Sequence, residues 1–361
     1  MLQITIWKIE NKKSQKMKIL MLDYLSYGAH KNFNKIHIEA LIKSGCSLHL
    51  VGGKKQFDNI IKNPAIQIDE IPGFLTPTTK HSPIFLRFVY IICLLWLRCK
   101  YNVCKYDVIV IPTYDPMSIW VYRTSKKLVL ITHDVHYLEN KIKYYAVNSL
   151  PAHYIHVGLS VEMVEKMKSL YPHKRIQYIP HGLCPISECD KLVKPQILNN
   201  INNEYLFCPI NNKYEIDFIH ALFTSPILIN YLEKNNLILI IKKKLFQDNK
   251  SPRIVTIEND LSKPEYDYLI QNALVVILPY EYNYKYRCSG ILFECVMRDT
   301  PVLATNIQAM SIYKEKINLK LFDSVLSLID GVNLFRNGRK KVVDKDYFDP
   351  YKYWQKTLDE L

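Results

Sequence analysis

The sequence predicts an α/β protein built from two doubly wound halves. Two observations carry this. Short β-branched runs alternate with helical stretches along the chain, and the alternation breaks once, over residues 181–203, before it resumes. The length of 361 residues fits two domains at roughly 150 residues each.

Residues 18–22 read as the first strand, followed by a loop through Asn34 and a helix over 36–42. Strands follow at 47–51, 66–71, 107–111 and 127–132, each an apolar run of the kind buried on both faces of a parallel sheet. Strands at 154–157 and 176–179 close this half, and between them Ser160 caps a helix with Glu162 in its first turn. The longest apolar run, 84–97, is too short to cross a bilayer and contains Arg87. It reads either as a core helix or as a helix lying in a membrane interface, with Trp96, Arg98 and Lys100 at headgroup level.

Prolines, cysteines and asparagines mark 183–203 as a linker. The second half has strands at 205–208, 237–241, 254–257, 274–278 and 301–304, with helices ending at Tyr231 and Asn272 and another over 289–298. Residues 350–361 form a short aromatic helix. The resulting division is a first domain at 17–182, a second at 204–340 and a tail at 341–361.

Composition narrows the function. A hydrophobic share of 48% with 23% charged residues excludes a disordered chain and a polytopic membrane protein. Ten glycines include no GxGxxG and no GxxxxGK[ST], so neither a dinucleotide loop nor a P-loop is expected. The +14 net charge favours an anionic partner: a phosphorylated substrate, an acidic membrane surface or nucleic acid. No RNP motif or zinc finger supports nucleic acid. Nine cysteines without a CxxC pair suggest a reducing compartment, the cytoplasm. The polar first sixteen residues show no signal-peptide pattern. Asp344-Lys345-Asp346 is formally a DxD but reads as a solvated turn, so no metal site and no cofactor is expected.

The sharpest constellation runs from Leu278-Pro279-Tyr280 through Tyr286-Arg287-Cys288-Ser289-Gly290 to Glu294, then Thr300-Pro301-Val302. A strand ends at Pro279 and Ser289 caps the next helix. The backbone N–H groups of Gly290, Ile291 and Leu292 then form an anion site at the strand end. Arg287 can add a bidentate contact. Glu294 interrupts an apolar helix and needs hydroxyl or cationic partners; a ribose diol would serve.

The run SGILFECVMRDTPVLATN resembles the donor-binding segment of GT-B fold glycosyltransferases, in particular family 4 (group 1). The resemblance extends more weakly over 17–333 and implies two Rossmann-like domains facing across a cleft. It implies that Glu294 binds the nucleotide ribose, as the second glutamate of the family's Glu-x7-Glu motif does. Tyr286 stands where the first glutamate would fall, and Ser289-Gly290 fits a variant with Ser-Gly there. His133, in Thr132-His133-Asp134, matches a histidine that meets the donor sugar and is the catalytic candidate. Gly28, in Ser26-Tyr27-Gly28-Ala29, matches the loop after the first strand. Lys243, among Lys242–Lys244, is placed on the donor diphosphate. Ile179-Pro180-His181-Gly182 resembles the segment entering the linker.

The resemblance further implies a retaining, metal-independent transfer from a nucleotide-sugar donor to a saccharide or lipid-linked saccharide in surface-polysaccharide assembly. The enzyme would be peripheral on the inner face of the cytoplasmic membrane. A non-catalytic partner subunit and a nucleotide-sugar epimerase on the same fold stay open.

Overall fold

The computed structural model describes residues 16–25, 30–61, 63–76, 82–135, 139–183, 191–199, 201–210, 216–242, 251–257, 261–281, 284–338 and 341–361. The chain divides into two compact units, Met1–Pro180 together with Pro350–Leu361, and His181–Asp349.

The first unit contains β1 (Lys18–Asp23), α1 (Lys31–Lys43), β2 (Ser47–Gly52), β3 (Ile66–Glu70), α2 (Pro83–Lys100), β4 (Val108–Ile111), β5 (Lys127–Thr132), α3 (Lys141–Asn148), β6 (Ile155–Gly158), α4 (Val161–Leu170) and β7 (Arg175–Tyr178). Its strands form one parallel sheet in the order β3-β2-β1-β4-β5-β6-β7. The central strands are buried, as their apolar runs predict. The edge strands β3 and β7 differ: they are only partly buried, because each pairs on one side and carries polar residues such as Gln67, Glu70 and Gln177.

Helix α1 starts at Lys31, ahead of the expected Ile36. Two of its buried residues are polar, which hides the helical period in the sequence. The Asn34 amide donates to the Asp23 carboxylate, and His37 Nδ1 accepts from the Trp354 indole at 2.9 Å. Helix α2 enters the core along one face and leaves the other exposed. Ser82 caps it and Pro83 opens it; Val89, Cys93, Leu94 and Leu97 enter the core, while Ile84, Phe85, Phe88, Ile92 and Leu95 stay exposed. Among the described residues no helix is long and apolar enough to cross a membrane.

The second unit contains β8 (Tyr205–Cys208), α5 (Ile216–Phe223), α6 (Pro226–Lys234), β9 (Ile238–Lys242), β10 (Ile254–Ile257), α7 (Lys263–Asn272), β11 (Val275–Leu278), α8 (Gly290–Met297), β12 (Val302–Thr305), α9 (Gln308–Ser311), β13 (Leu319–Phe322) and α10 (Val325–Arg336). The parallel sheet order is β10-β9-β8-β11-β12-β13. The helix expected to end at Tyr231 is two helices, since Pro226 cannot continue α5 and instead opens α6. Gly331 of α10 sits where a β-carbon would fall 2.3 Å from Leu303 Cδ2, so a larger residue there would force the Leu303 side chain of β12 to shift.

The closing helix α11 (Tyr351–Asp359) packs on α1 within the first unit. Trp354 is fully buried there, the Lys43 ammonium lies 4.3 Å from the Tyr351 ring centroid, and Tyr353 meets Tyr178 edge-on.

Candidate functional site

In doubly wound sheets, ligands bind beyond the carboxyl ends of the strands where strand order reverses. That point lies between β8 and β11 in the second unit and between β1 and β4 in the first. Both carry residues singled out in the sequence.

In the second unit, β11 ends at Leu278 and the chain turns through Tyr280 to the N-terminus of α8. Tyr280 and Tyr284 stack face to face, with centroids 3.9 Å apart and planes 5° apart. The Tyr280 and Ser289 hydroxyls share a buried 2.8 Å hydrogen bond, and Thr305 Oγ1 donates to the Tyr280 carbonyl. Ser289, itself buried, is thereby fixed as the cap of α8. Its Oγ accepts from Leu292 N at 3.2 Å, which corrects the expected trio of donors. Leu292 is spent on the cap. The N–H groups of Gly290 and Ile291 remain without an acceptor among the described residues. A β-carbon on Gly290 would meet nothing within 4 Å, so these donors border open space. The Arg287 guanidinium lies 5.7 Å from the Tyr284 ring centroid, on the approach to the same helix end. Tyr286 lies beneath the Lys285 ammonium, 5.1 Å from its ring centroid.

Glu294, farther along α8, faces α7. Burial raises its carboxyl pKa above the ordinary glutamate value, while Lys263, Arg298 and a hydrogen bond from Tyr266 oppose the rise and Asp267 adds to it. Asp267, almost fully buried, pairs with Arg298 at 2.9 Å and also with Lys263. The hydroxyl and cationic partners demanded by the sequence are thus supplied from within the fold. Arg298 stands four residues after Glu294, a helical spacing that signals this cluster; Tyr266 and Lys263 carry no such signal in the sequence. His181 stacks on Phe293 of α8, centroids 4.6 Å apart, and Gly182 takes a positive φ of 83° where the chain enters this unit.

In the first unit, His133 follows β5 and donates from Nε2 to the Pro112 carbonyl at 2.9 Å. His30, in a left-handed backbone conformation ahead of α1, stacks on it with centroids 4.3 Å apart. Its Nδ1 lies 3.2 Å from Thr113 Oγ1, and Phe33 meets the His133 ring edge-on. Burial lowers the His30 pKa, against the pull of Asp23. His30 was not a sequence candidate; its signal is its place between the first strand and the following helix. Gly28 and Lys243 lie outside the described residues. Asp344, of the formal DxD, caps a short turn by accepting from Asp346 N.

The arrangement decides the fold. This is the GT-B architecture. No family model and no curated protein sequence matches the chain. Solved structures do. HepE from Anabaena, crystallised with UDP and glucose, is 14% identical, superposes with a TM-score of 0.61, and the match covers 96% of this chain and all of HepE (100%). A UDP-forming α,α-trehalose-phosphate synthase from Burkholderia xenovorans is 8% identical with a TM-score of 0.62, covering 96% of this chain and 98% of that one. A Listeria monocytogenes protein described as a UDP-N-acetylglucosamine 2-epimerase is 11% identical with a TM-score of 0.57, covering 93% and 90%. At such identities the likeness is one of GT-B fold. Within that fold the two groups described above occupy the strand-order reversals of their own sheets.

Proposed function

We propose that this chain is a glycosyltransferase of the family 4 type, transferring a sugar from a nucleotide-sugar donor to a saccharide or lipid-linked saccharide. The reading rests on the N-terminus of α8, where two backbone donors border open space behind a buried cap, with Arg287 beside them. Such a site stabilises the charge that develops on a departing nucleoside diphosphate. Glu294 would take the ribose diol: Tyr266 uses one of its acceptor positions, and a carboxylate has about four. His133 would meet the donor sugar, while Gly28 and Lys243 would complete the donor contacts. The domains at 17–182 and 204–340 would serve the acceptor and the donor, joined by the linker at 183–203. UDP bound to HepE makes a uridine nucleotide the first donor to test.

The transfer would be retaining and metal-independent, with no cofactor, in surface-polysaccharide assembly. The seven described cysteines are free thiols, in keeping with a cytoplasmic location. The exposed face of α2 with its basic residues supports peripheral attachment to anionic membrane.

A second reading follows from Tyr286, which replaces a motif carboxylate: a non-catalytic partner subunit. Thermal-shift screening of UDP- and GDP-sugars, followed by turnover of the best binder, separates the two. A ligand at about 100 times its Kd stabilises by about 2.7 kcal/mol. Donor binding with transfer or hydrolysis supports the enzyme. Binding without turnover supports the subunit, and no shift with any sugar nucleotide refutes both.

A further inference from the structure

At the amino ends of β4 and β5, the sheet edge opposite the one that carries His133, a recess of about 360 Å³ is lined by Arg98, Val103, Tyr122, Arg123, Thr124 and Ser125. Arg98 comes from the last turn of α2, and residues 122–125 lead into β5. The recess is lined by two cations and no carboxylate. Among the described residues neither guanidinium pairs with an acid. Arg98 makes a 3.4 Å contact to the Val121 carbonyl, and Arg123 donates to the Ser149 carbonyl and hydroxyl at 2.7 and 3.0 Å.

Two donors are left over. Arg123 Nε and the Tyr122 hydroxyl are buried without a partner among the described residues, and Tyr122 as a whole is 2% exposed. Native folds rarely leave such groups unsatisfied, because desolvation is then uncompensated. An anion held between the two guanidinium groups would satisfy both and neutralise the surplus charge. Thr124 and Ser125 add hydroxyls at its edge.

The recess adjoins the exposed face of α2. At about 100° per residue, Ile84, Phe88, Ile92 and Leu95 form one stripe. Arg87 and Arg98 border it on one side, Trp96 and Lys100 on the other. Half-exposed Trp120 lies under the Arg123 guanidinium at 4.6 Å. An apolar stripe edged by basic residues and tryptophan matches a bilayer interface, whose phosphates lie just outside its acyl region.

We propose that the recess holds the headgroup phosphate of an anionic phospholipid while the stripe of α2 lies in the bilayer interface. The proposal rests on the peripheral-membrane reading above and adds a defined anion site to it.

Co-sedimentation of the full chain with phosphatidylcholine vesicles, with and without phosphatidylglycerol, tests both. The variant R98K/R123K keeps the charge but loses the planar fork, and is expected to bind the anionic vesicles about tenfold more weakly. Tyr122→Phe keeps the ring and removes one unpaired donor, for an expected loss of about threefold. Melting temperatures show whether each variant folds; if the double variant does not, Tyr122→Phe decides. Wild type that ignores phosphatidylglycerol at low salt overturns the membrane reading and this proposal with it. Wild type that binds it, with folded variants binding equally well, overturns the recess alone. Calorimetry with inorganic phosphate separates the remaining case: phosphate binding lost in Tyr122→Phe, with vesicle binding unchanged, would make this a site for free anions and overturn the headgroup assignment.

Discussion

The imidazoles of His30 and His133 stack with centroids 4.3 Å apart and planes 25° apart, beyond the ends of β1 and β5. The Pro112 carbonyl can only accept, so His133 Nε2 carries the proton and in the neutral ring Nδ1 is the acceptor. In the proposed reading His133 meets the donor sugar. His133→Ala is therefore expected to lower kcat/KM at least about tenfold while nucleotide affinity changes less than about twofold, since the nucleotide contacts are assigned to the second unit. Equal losses in both measurements would move His133 out of the sugar site.

Glu294 gives a prediction with two readouts. Glu294→Ala is expected to weaken nucleotide binding about tenfold, or about 1.4 kcal/mol, by calorimetry. Glu294→Gln tests the electrostatics. Because burial raises the carboxyl pKa in the fold, the folded state holds the proton more tightly than the unfolded chain. Stability from this group is thus fully present below the ordinary glutamate value and is lost as pH rises through the higher folded value. Wild type should lose stability relative to Glu294→Gln over that rise in urea titrations. A constant difference across pH would show that Lys263 and Arg298 fully compensate the burial.

Much of the fold was legible because the central strands carry unbroken apolar runs and Ser160 and Ser289 cap their helices as their positions suggest. What stayed hidden involves polar residues in buried places. Asn34 and His37 of α1 break the apolar period yet lie in the core, Asn34 paired with Asp23 at the end of the preceding strand and His37 with Trp354, distant in sequence. Helix α10 was missed with its preceding strand β13, whose Lys320 interrupts a short apolar segment. At the site, the cap and the strand end could be read locally. The Tyr280–Ser289 bond and the Tyr266–Glu294 bond could not, because they depend on how the loop and α7 fold back on α8.

The proposed function leaves the donor diphosphate to protein groups alone, namely the Gly290 and Ile291 N–H groups, Arg287 and Lys243. Turnover should accordingly survive EDTA within about twofold. Loss of activity on chelation, restored by Mn²⁺, would transfer that role to a metal ion.

His156 of β6 supplies the last test, one of stability rather than catalysis. Its ring is fully enclosed, and neither nitrogen has a partner among the described residues. Burial, aided by the nearby Lys174 ammonium, depresses its pKa from 6.5 to about 3. The folded protein then keeps this ring neutral at pH values where the unfolded chain protonates it. The unfolded state binds the extra proton, so stability rises with pH through this window; it is fully present above 6.5 and falls as pH drops toward 3. One such group contributes a slope of about 1.4 kcal/mol per pH unit. His156→Leu removes both the titration and two unsatisfied polar atoms, so the variant should fold at neutral pH and resist acid better than wild type. Urea unfolding at a series of pH values measures the difference between the two proteins, which cancels the titration they share. A difference that does not grow as pH falls from 6.5 toward 3 would mean that the folded state protonates His156 as readily as the unfolded chain does.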